Sequence, residues 1–136
     1  MELIDSDQKH LVNSLYHSEM IIYVNSTIGI DSLPFDKPQI MIEFDGWEKK
    51  RYIESVKHYH DEDHMKKYLW TGAVKIAKTP EELLSFINTY LRNPKVDSEK
   101  RAIAIRDQLY YCDNQCGKRV ASFVLKEINN LWERLL

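Results

Sequence analysis

Several things are scarce in this sequence, and each scarcity excludes something. No uninterrupted apolar run approaches the roughly 18–20 residues needed to cross a bilayer, so no transmembrane segment is expected. Cysteine is rare. Cys112 and Cys116 are spaced C-x-x-x-C, which is neither the C-x-x-C of redox proteins nor part of a four-ligand zinc set, so they read as buried or incidental thiols. An excess of one charge is also lacking. The formal net charge is −2, which argues against bulk attraction to nucleic acid or to an anionic membrane. The opening Met1-Glu2-Leu3-Ile4-Asp5 is acidic and lacks the charged-then-apolar layout of a signal peptide, so a cytoplasmic location is expected. There is no internal repeat and no low-complexity segment.

What is present is ordinary for a globular chain. The 136 residues, 43% hydrophobic and 29% charged, fit one domain spanning 1–136 with a core of its own. Asp5-Ser6-Asp7 offers N-cap residues before a helix over Gln8 to Ser18. Met20 to Val24 is a short continuous apolar run of the kind found in buried parallel strands. A polar turn, Asn25-Ser26-Thr27, leads into a short helical stretch from Ile28 to Phe35, strained near its end by Pro34. Gln39 to Phe44 reads as a second strand. Two apolar strands joined through a helix make a parallel crossover unit. Val74 to Ala77 offers a short third strand. Thr79-Pro80-Glu81-Glu82 combines an N-cap threonine, proline at the first helical position and glutamate at the third, and the helix it starts stops at Asn93-Pro94. Asp97-Ser98-Glu99 opens a further helix to about Tyr111. A final helix from Lys118 to Leu136 carries Val120, Phe123, Val124, Ile128, Leu131 and Leu135 on one stripe. The expected class is α/β, a partial doubly wound, Rossmann-like nucleotide-binding domain with a helix-rich C-terminal half. Two or three strands fall short of the five or six usual in that architecture, so half of a sheet is expected to be missing.

The turn after the first strand carries the main chemical expectation. Backbone N–H groups that follow a parallel strand face the crevice at the carboxyl end of the sheet and can hold phosphate. The hydroxyls of Ser26 and Thr27 can donate beside them, Gly29 can admit a ligand closely, and Asp31 can accept from ribose hydroxyls. A plain helix cap at Ser26 or Thr27, with Asp31 supporting the helix dipole, accounts for the same residues.

The wider string from His10 to Asp45, HLVNSLYHSEMIIYVNSTIGIDSLPFDKPQIMIEFD, resembles the C-terminal domain of GT-B-type glycosyltransferases, above all those of bacterial capsule and surface-polysaccharide assembly. It is similar in turn to CDP-glycerol glycerophosphotransferases and UDP-N-acetylglucosamine 2-epimerases. The resemblance rests on H-L-x-N-x-L, an apolar strand, the Ser-Thr turn, an acid five residues after Ser26, and F-D-K-P before another strand. It continues more loosely through Tyr59 to His64, Thr71 to Val74, Pro80 to Leu83 and Gly117 to Val120.

The resemblance implies that Ser26, Thr27 and Gly29 hold the diphosphate of a nucleotide-activated donor and that Asp31, where relatives often have Glu, holds the ribose. His10 and Asn13, on the preceding helix, would contact the base or the sugar. By its place after a strand end Trp47 could stack on a base or line the acceptor side, or simply pack under the following loop, and His64 or Tyr59 could reach the donor or acceptor edge or belong to a surface helix cap. Asn114 departs from the family, where glycine commonly follows the preceding Asp, and a local change is expected there. The implied reaction transfers a sugar from a nucleotide-sugar to a surface-polysaccharide acceptor, or an alditol phosphate from a CDP-alditol. No cofactor and no metal are expected, and no residue takes the role of catalytic base, which in the family comes from the other domain. The chain is therefore expected to be inactive alone, to act with a separate N-terminal half that can bring it to a membrane peripherally, or to be a non-catalytic relic that kept the fold.

Two other clusters carry weaker signals. His58, His60 and His64 lie among Asp61, Glu62 and Asp63, with His60 and His64 spaced to share a helix face, but the Glu of H-E-x-x-H is absent. Lys49, Lys50 and Arg51 could attract an anionic acceptor or donor phosphate, although solvated surface charge explains them equally simply.

Overall fold

A computed structural model describes residues 5–24, 26–46, 48, 50–61 and 63–135, the side chains of 59–61, 63, 64 and 135 excepted. Trp47 and the side chain of His64 therefore lie outside the described parts, as do Asn25 and Lys49.

The fold is mixed α/β around a three-stranded, fully parallel sheet. The strands are β1 (Ile21–Tyr23), β2 (Gln39–Ile42) and β3 (Val74–Ala77), in spatial order β1-β2-β3. Tyr23 stands beside Met41 and Met41 beside Ile76, so one residue from each strand lies in each row across the sheet. Parallel strands need crossover connections. Between β1 and β2 the crossover is short: helix α2 (Ile28–Asp31) and a 3-10 turn, Leu33–Phe35. Between β2 and β3 it is longer, with 3-10 turns at Tyr52–Glu54 and Val56–Asp61 and helix α3 (Asp63–Trp70).

The remaining helices are α1 (Asp5–His17), α4 (Pro80–Arg92), α5 (Ser98–Leu109) and α6 (Cys116–Leu135). Helix α1 is described from Asp5, so Asp5, Ser6 and Asp7, expected as caps before Gln8, are themselves helical. The single helix expected over Ile28 to Phe35 is split. It breaks at Ser32, and Pro34 sits in the tighter turn that follows. Helix α4 starts as its sequence dictates: Thr79 accepts from the Glu82 N–H at 3.2 Å and Pro80 occupies the first turn.

The two faces of the sheet bury different clusters, as strand alternation requires. On one face Ile21, Tyr23, Met41 and Val74 pack with Leu15 of α1, Leu33, Met65 and Tyr68 of α3 and Ala104 of α5. On the other, Ile40 and Ala77 pack with Tyr90 of α4, flanked by Leu83, Phe86 and Ile87. That second face is covered unevenly. Ile40 is fully buried, whereas Ile22 beside it on β1 stays 42% exposed.

A salt link between a buried arginine and an exposed aspartate ties the helical layer to the β1–β2 connection. The Arg101 side chain, 1% exposed, donates from Nε to Asp36 at 2.7 Å and to the carbonyls of Val96 (2.7 Å) and Pro94 (3.0 Å). Asp36 closes the 3-10 turn in the left-handed region, at φ 49°. Asp97 precedes α5 in the same region at φ 63°, but its carboxylate caps nothing. It receives Tyr90 Oη (3.1 Å), Lys75 Nζ (3.1 Å) and Lys100 Nζ (2.9 Å) instead. Burial pushes the Asp97 carboxyl up, and these three donors outweigh it, so the carboxyl stays below its usual range.

Helix α6 stands apart. Every described side chain from Cys116 to Arg134 is exposed apart from the half-buried Asn130. Cys112 and Cys116 are exposed and unbonded, so they are not core thiols. Just before α6, Asn114 has φ 57°. Asparagine tolerates the left-handed region better than most residues, so the position needs no glycine to make its turn.

Candidate functional site

Because all three strands run the same way, the turns that leave β1 and β2 open at the same end of the sheet. This is where parallel sheets place ligands. Ser26 and Thr27 leave β1 there, and both are exposed. Part of this turn is internally satisfied. Ser26 Oγ accepts from the Ile28 N–H at 3.2 Å, its carbonyl takes the Gly29 N–H at 3.4 Å, and the Thr27 carbonyl takes the N–H groups of Ile30 (2.8 Å) and Asp31 (3.0 Å). The Thr27 hydroxyl makes no cap bond. Among the described residues, the groups left without a hydrogen-bond partner are therefore the Thr27 hydroxyl, the second lone pair and proton of Ser26 Oγ, and the N–H groups of Ser26 and Thr27.

Helix α2 is only four residues long. A helix dipole grows with the number of aligned peptide units, so its field here is small. Anion binding at this turn has to come from individual donors. Asp31 ends α2, exposed. His10 and Asn13 are exposed on α1, one turn apart, and neither side chain makes a hydrogen bond among the described residues.

Gly29 has another role from the one expected. It is buried, and a Cβ on it would lie 2.4 Å from Tyr23 Oη and 3.0 Å from Gln39 Oε1. Its missing side chain makes room for interior groups and does not open a path for a ligand. Those groups form a buried polar network. Gln39 Nε2 donates to the Gly29 carbonyl and to Ser32 Oγ, both at 2.9 Å. Ser32 Oγ donates to the same carbonyl at 2.9 Å, and the hydroxyls of Tyr23 (3.3 Å) and Tyr68 converge on Gln39 Oε1. Burial pushes the Tyr68 phenol up to about 12 and the Tyr23 phenol higher still, so both stay protonated donors at neutral pH. The network anchors the turn from beneath.

The second opening lies where the chain leaves β2. A cleft of about 480 Å³ is lined by Phe44, Asp45, Gly46, Glu48, Lys50, Tyr52, Ser55 and Lys57. Asp45 organises it. Its Oδ1 accepts from the Val56 N–H at 2.8 Å, and the Ser55 side chain also bonds to it. The Ser55 bond foremost, then the Val56 N–H and the nearby charges of Lys50 and Lys57, hold the Asp45 carboxyl below its usual range. Ser55 Oγ in turn accepts from the Lys57 N–H at 3.1 Å. One carboxylate thus ties the end of β2 to the far side of the loop. The Lys49–Lys50–Arg51 run is divided in its roles: Arg51 pairs with Glu54, while Lys50 turns toward the cleft. Lys57, Ser55 and the Asp45 tie carry no local sequence signal, because the tie spans 11 residues of irregular chain.

The histidine run is divided between two elements. His58 and His60 lie in the 3-10 turn Val56–Asp61 and His64 lies in α3. Among the described residues no group of His, Cys, Asp and Glu could hold a metal ion, and no helix is long and apolar enough to cross a membrane. No protein-family model matches the chain, and neither a curated protein nor a solved structure is similar enough to match it.

Proposed function

We propose that this chain is the donor-binding segment of a GT-B-type glycosyltransferase, one that transfers a sugar from a nucleotide-sugar to a surface-polysaccharide acceptor. The observation that supports this reading is the exposed Ser26–Thr27 turn at the carboxyl end of a parallel strand, where hydroxyl and backbone donors are open to a diphosphate. In this reading Ser26 and Thr27 hold the diphosphate and Asp31 takes the ribose hydroxyls. Donors placed on a leaving phosphate stabilise the charge that grows there during transfer. The chemistry extends to a CDP-alditol donor, whose leaving group is a nucleoside monophosphate. The base that activates the acceptor is supplied by a separate N-terminal half, so the chain alone is inactive.

The uneven cover of the sheet fits this incompleteness. Ile22 and Val24 are each 42% exposed at the β1 edge, where a further half-sheet would lie. Calorimetry with UDP, GDP and CDP tests the site. One of them binds, and Ser26→Ala with Thr27→Ala weakens it roughly tenfold or more, about 1.4 kcal/mol. A folded chain that binds none of the three at millimolar concentration refutes the phosphate seat. Turnover by the purified chain without a partner refutes its incompleteness.

A further inference from the structure

We infer that the cleft at the end of β2 is a second ligand site, one that takes a small hydroxylated anion: a sugar ring bearing a single phosphate or carboxylate group. The inference does not depend on nucleotide binding at Ser26 and Thr27. Its first support is position and size. The cleft opens at the carboxyl end of the central strand of a parallel sheet, and about 480 Å³ lies within the range of small-molecule sites.

The second support is that its frame is built before any ligand arrives. Asp45 accepts from the Val56 N–H, Ser55 accepts from the Lys57 N–H beside it, and Ser55 is 4% exposed, so the floor is set by groups already in place. The third is the chemistry left over on the walls. The ammonium groups of Lys50 and Lys57 make no ion pair among the described residues, and neither does Glu48. Tyr52 presents a ring that is 58% exposed, braced edge-on by the His58 ring with centroids 6.1 Å apart.

These groups have complementary uses. Two ammonium groups satisfy one phosphate or carboxylate. A free carboxylate accepts from sugar hydroxyls, and an aromatic face packs against the apolar side of a sugar ring. The charge count limits the ligand further. Among the described residues that line it, Asp45 and Glu48 balance Lys50 and Lys57, a mixed lining that suits a ligand with a single charge better than a polyanion.

The test uses amide-resolved NMR titration of the full chain with four probes: glucose 6-phosphate, glucuronate, glucose and inorganic phosphate. Glucose 6-phosphate or glucuronate is expected to shift the amides of Gly46, Lys50, Tyr52 and Lys57 with a millimolar Kd, and whichever of the two binds identifies the anionic group. Glucose and inorganic phosphate each bind roughly tenfold more weakly or not at all. Lys50→Ala with Lys57→Ala abolishes the shifts while circular dichroism stays that of the folded chain. Both lysines are exposed, so folding is not at issue. The variant Ser26→Ala with Thr27→Ala leaves these shifts unchanged, which separates this site from the nucleotide seat. The inference is overturned if neither sugar anion binds, if inorganic phosphate binds as tightly as they do, or if the lysine variant binds like the parent.

Discussion

Helices α4 and α6 are both amphipathic, yet only one of them has found something to cover. Along α4, Leu83, Phe86, Ile87 and Tyr90 recur at helical spacing and pack on Ile40 and Ala77 of the sheet. Along α6, Val120, Phe123, Val124, Ile128, Leu131 and Trp132 recur with the same logic and all stay exposed. The difference shows what an apolar stripe can and cannot say. It specifies that a helix wants a partner, and the partner has to be supplied by the rest of the fold. Here the sheet is three strands wide, which is enough for α4 and leaves nothing for α6. Most helical stability in proteins comes from packing an amphipathic face, and the described stripe of α6 is exposed, so the two helices should differ in stability as well as in packing.

The contrast can be sharpened or broken by measurement. The largest effect belongs to the docked body. Arg101→Met removes donors from Asp36 and from two carbonyls, and about 3 kcal/mol or more should be lost from the cooperative unfolding transition in urea. A loss under about 1 kcal/mol would mean that the body is not held by this link. Next, Gly29→Ala drives a methyl group into Tyr23 and should cost about 1–3 kcal/mol, with Tyr23→Phe in the same chain recovering part of it.

Acid provides a smaller, signed effect. The folded state holds the Asp97 carboxyl below its usual range, so its stabilising contribution is complete above the ordinary carboxylate pKa, near about 4, and fades as pH falls through the lower folded value. The drop in melting temperature on acidification through that window should be shallower in Asp97→Asn. Asparagine keeps the left-handed backbone tolerable, so the comparison isolates the charge. An identical acid slope in the variant would assign the loss to other groups. The smallest effect is expected in α6. Ile128→Ser should change the unfolding free energy of the body by less than about 0.5 kcal/mol, whereas Ile87→Ser in α4 should cost several times more. Equal losses would end the distinction between the two helices.

Much of the architecture was legible along the chain, because local signals and final structure agree where packing has little to overrule. Val74–Ala77 forms the third strand with the bounds read from the sequence, and Thr79-Pro80 starts α4 where capping chemistry places it. Ends were less legible. The first two strands are shorter than their apolar runs, since a residue counts as strand only where a neighbour pairs with it, and Val24 and Phe44 pass beyond the paired register. Long-range links were invisible. Arg101 meets Asp36 across 65 positions, and no periodicity marks either of them.

The candidate sites divide in the same way. Ser26 and Thr27 sit at the strand end that their spacing implies, whereas Gly29 reads as an open position and is a packed one. A glycine looks the same in sequence whether a ligand or a tyrosine fills the space beside it. The Asp45 tie and Lys57 required the folded loop before they could be seen.

The buried amide of Gln39 has a consequence for how the sheet chooses its pairing. An apolar three-residue strand such as Ile-Ile-Tyr could slide along a neighbour at little loss of hydrophobic contact. Gln39 forbids that. Its amide is satisfied only when Ile21 and Val74 stand beside it, because only then do Gly29, Ser32, Tyr23 and Tyr68 reach it. A slip by one residue would turn the amide to the α4 face, where those partners are absent, and an unpaired buried amide costs more than the slip could regain. One polar side chain in the central strand thus acts as an index mark. It removes the competing alignments of a sheet too small to select its register by hydrophobic area alone.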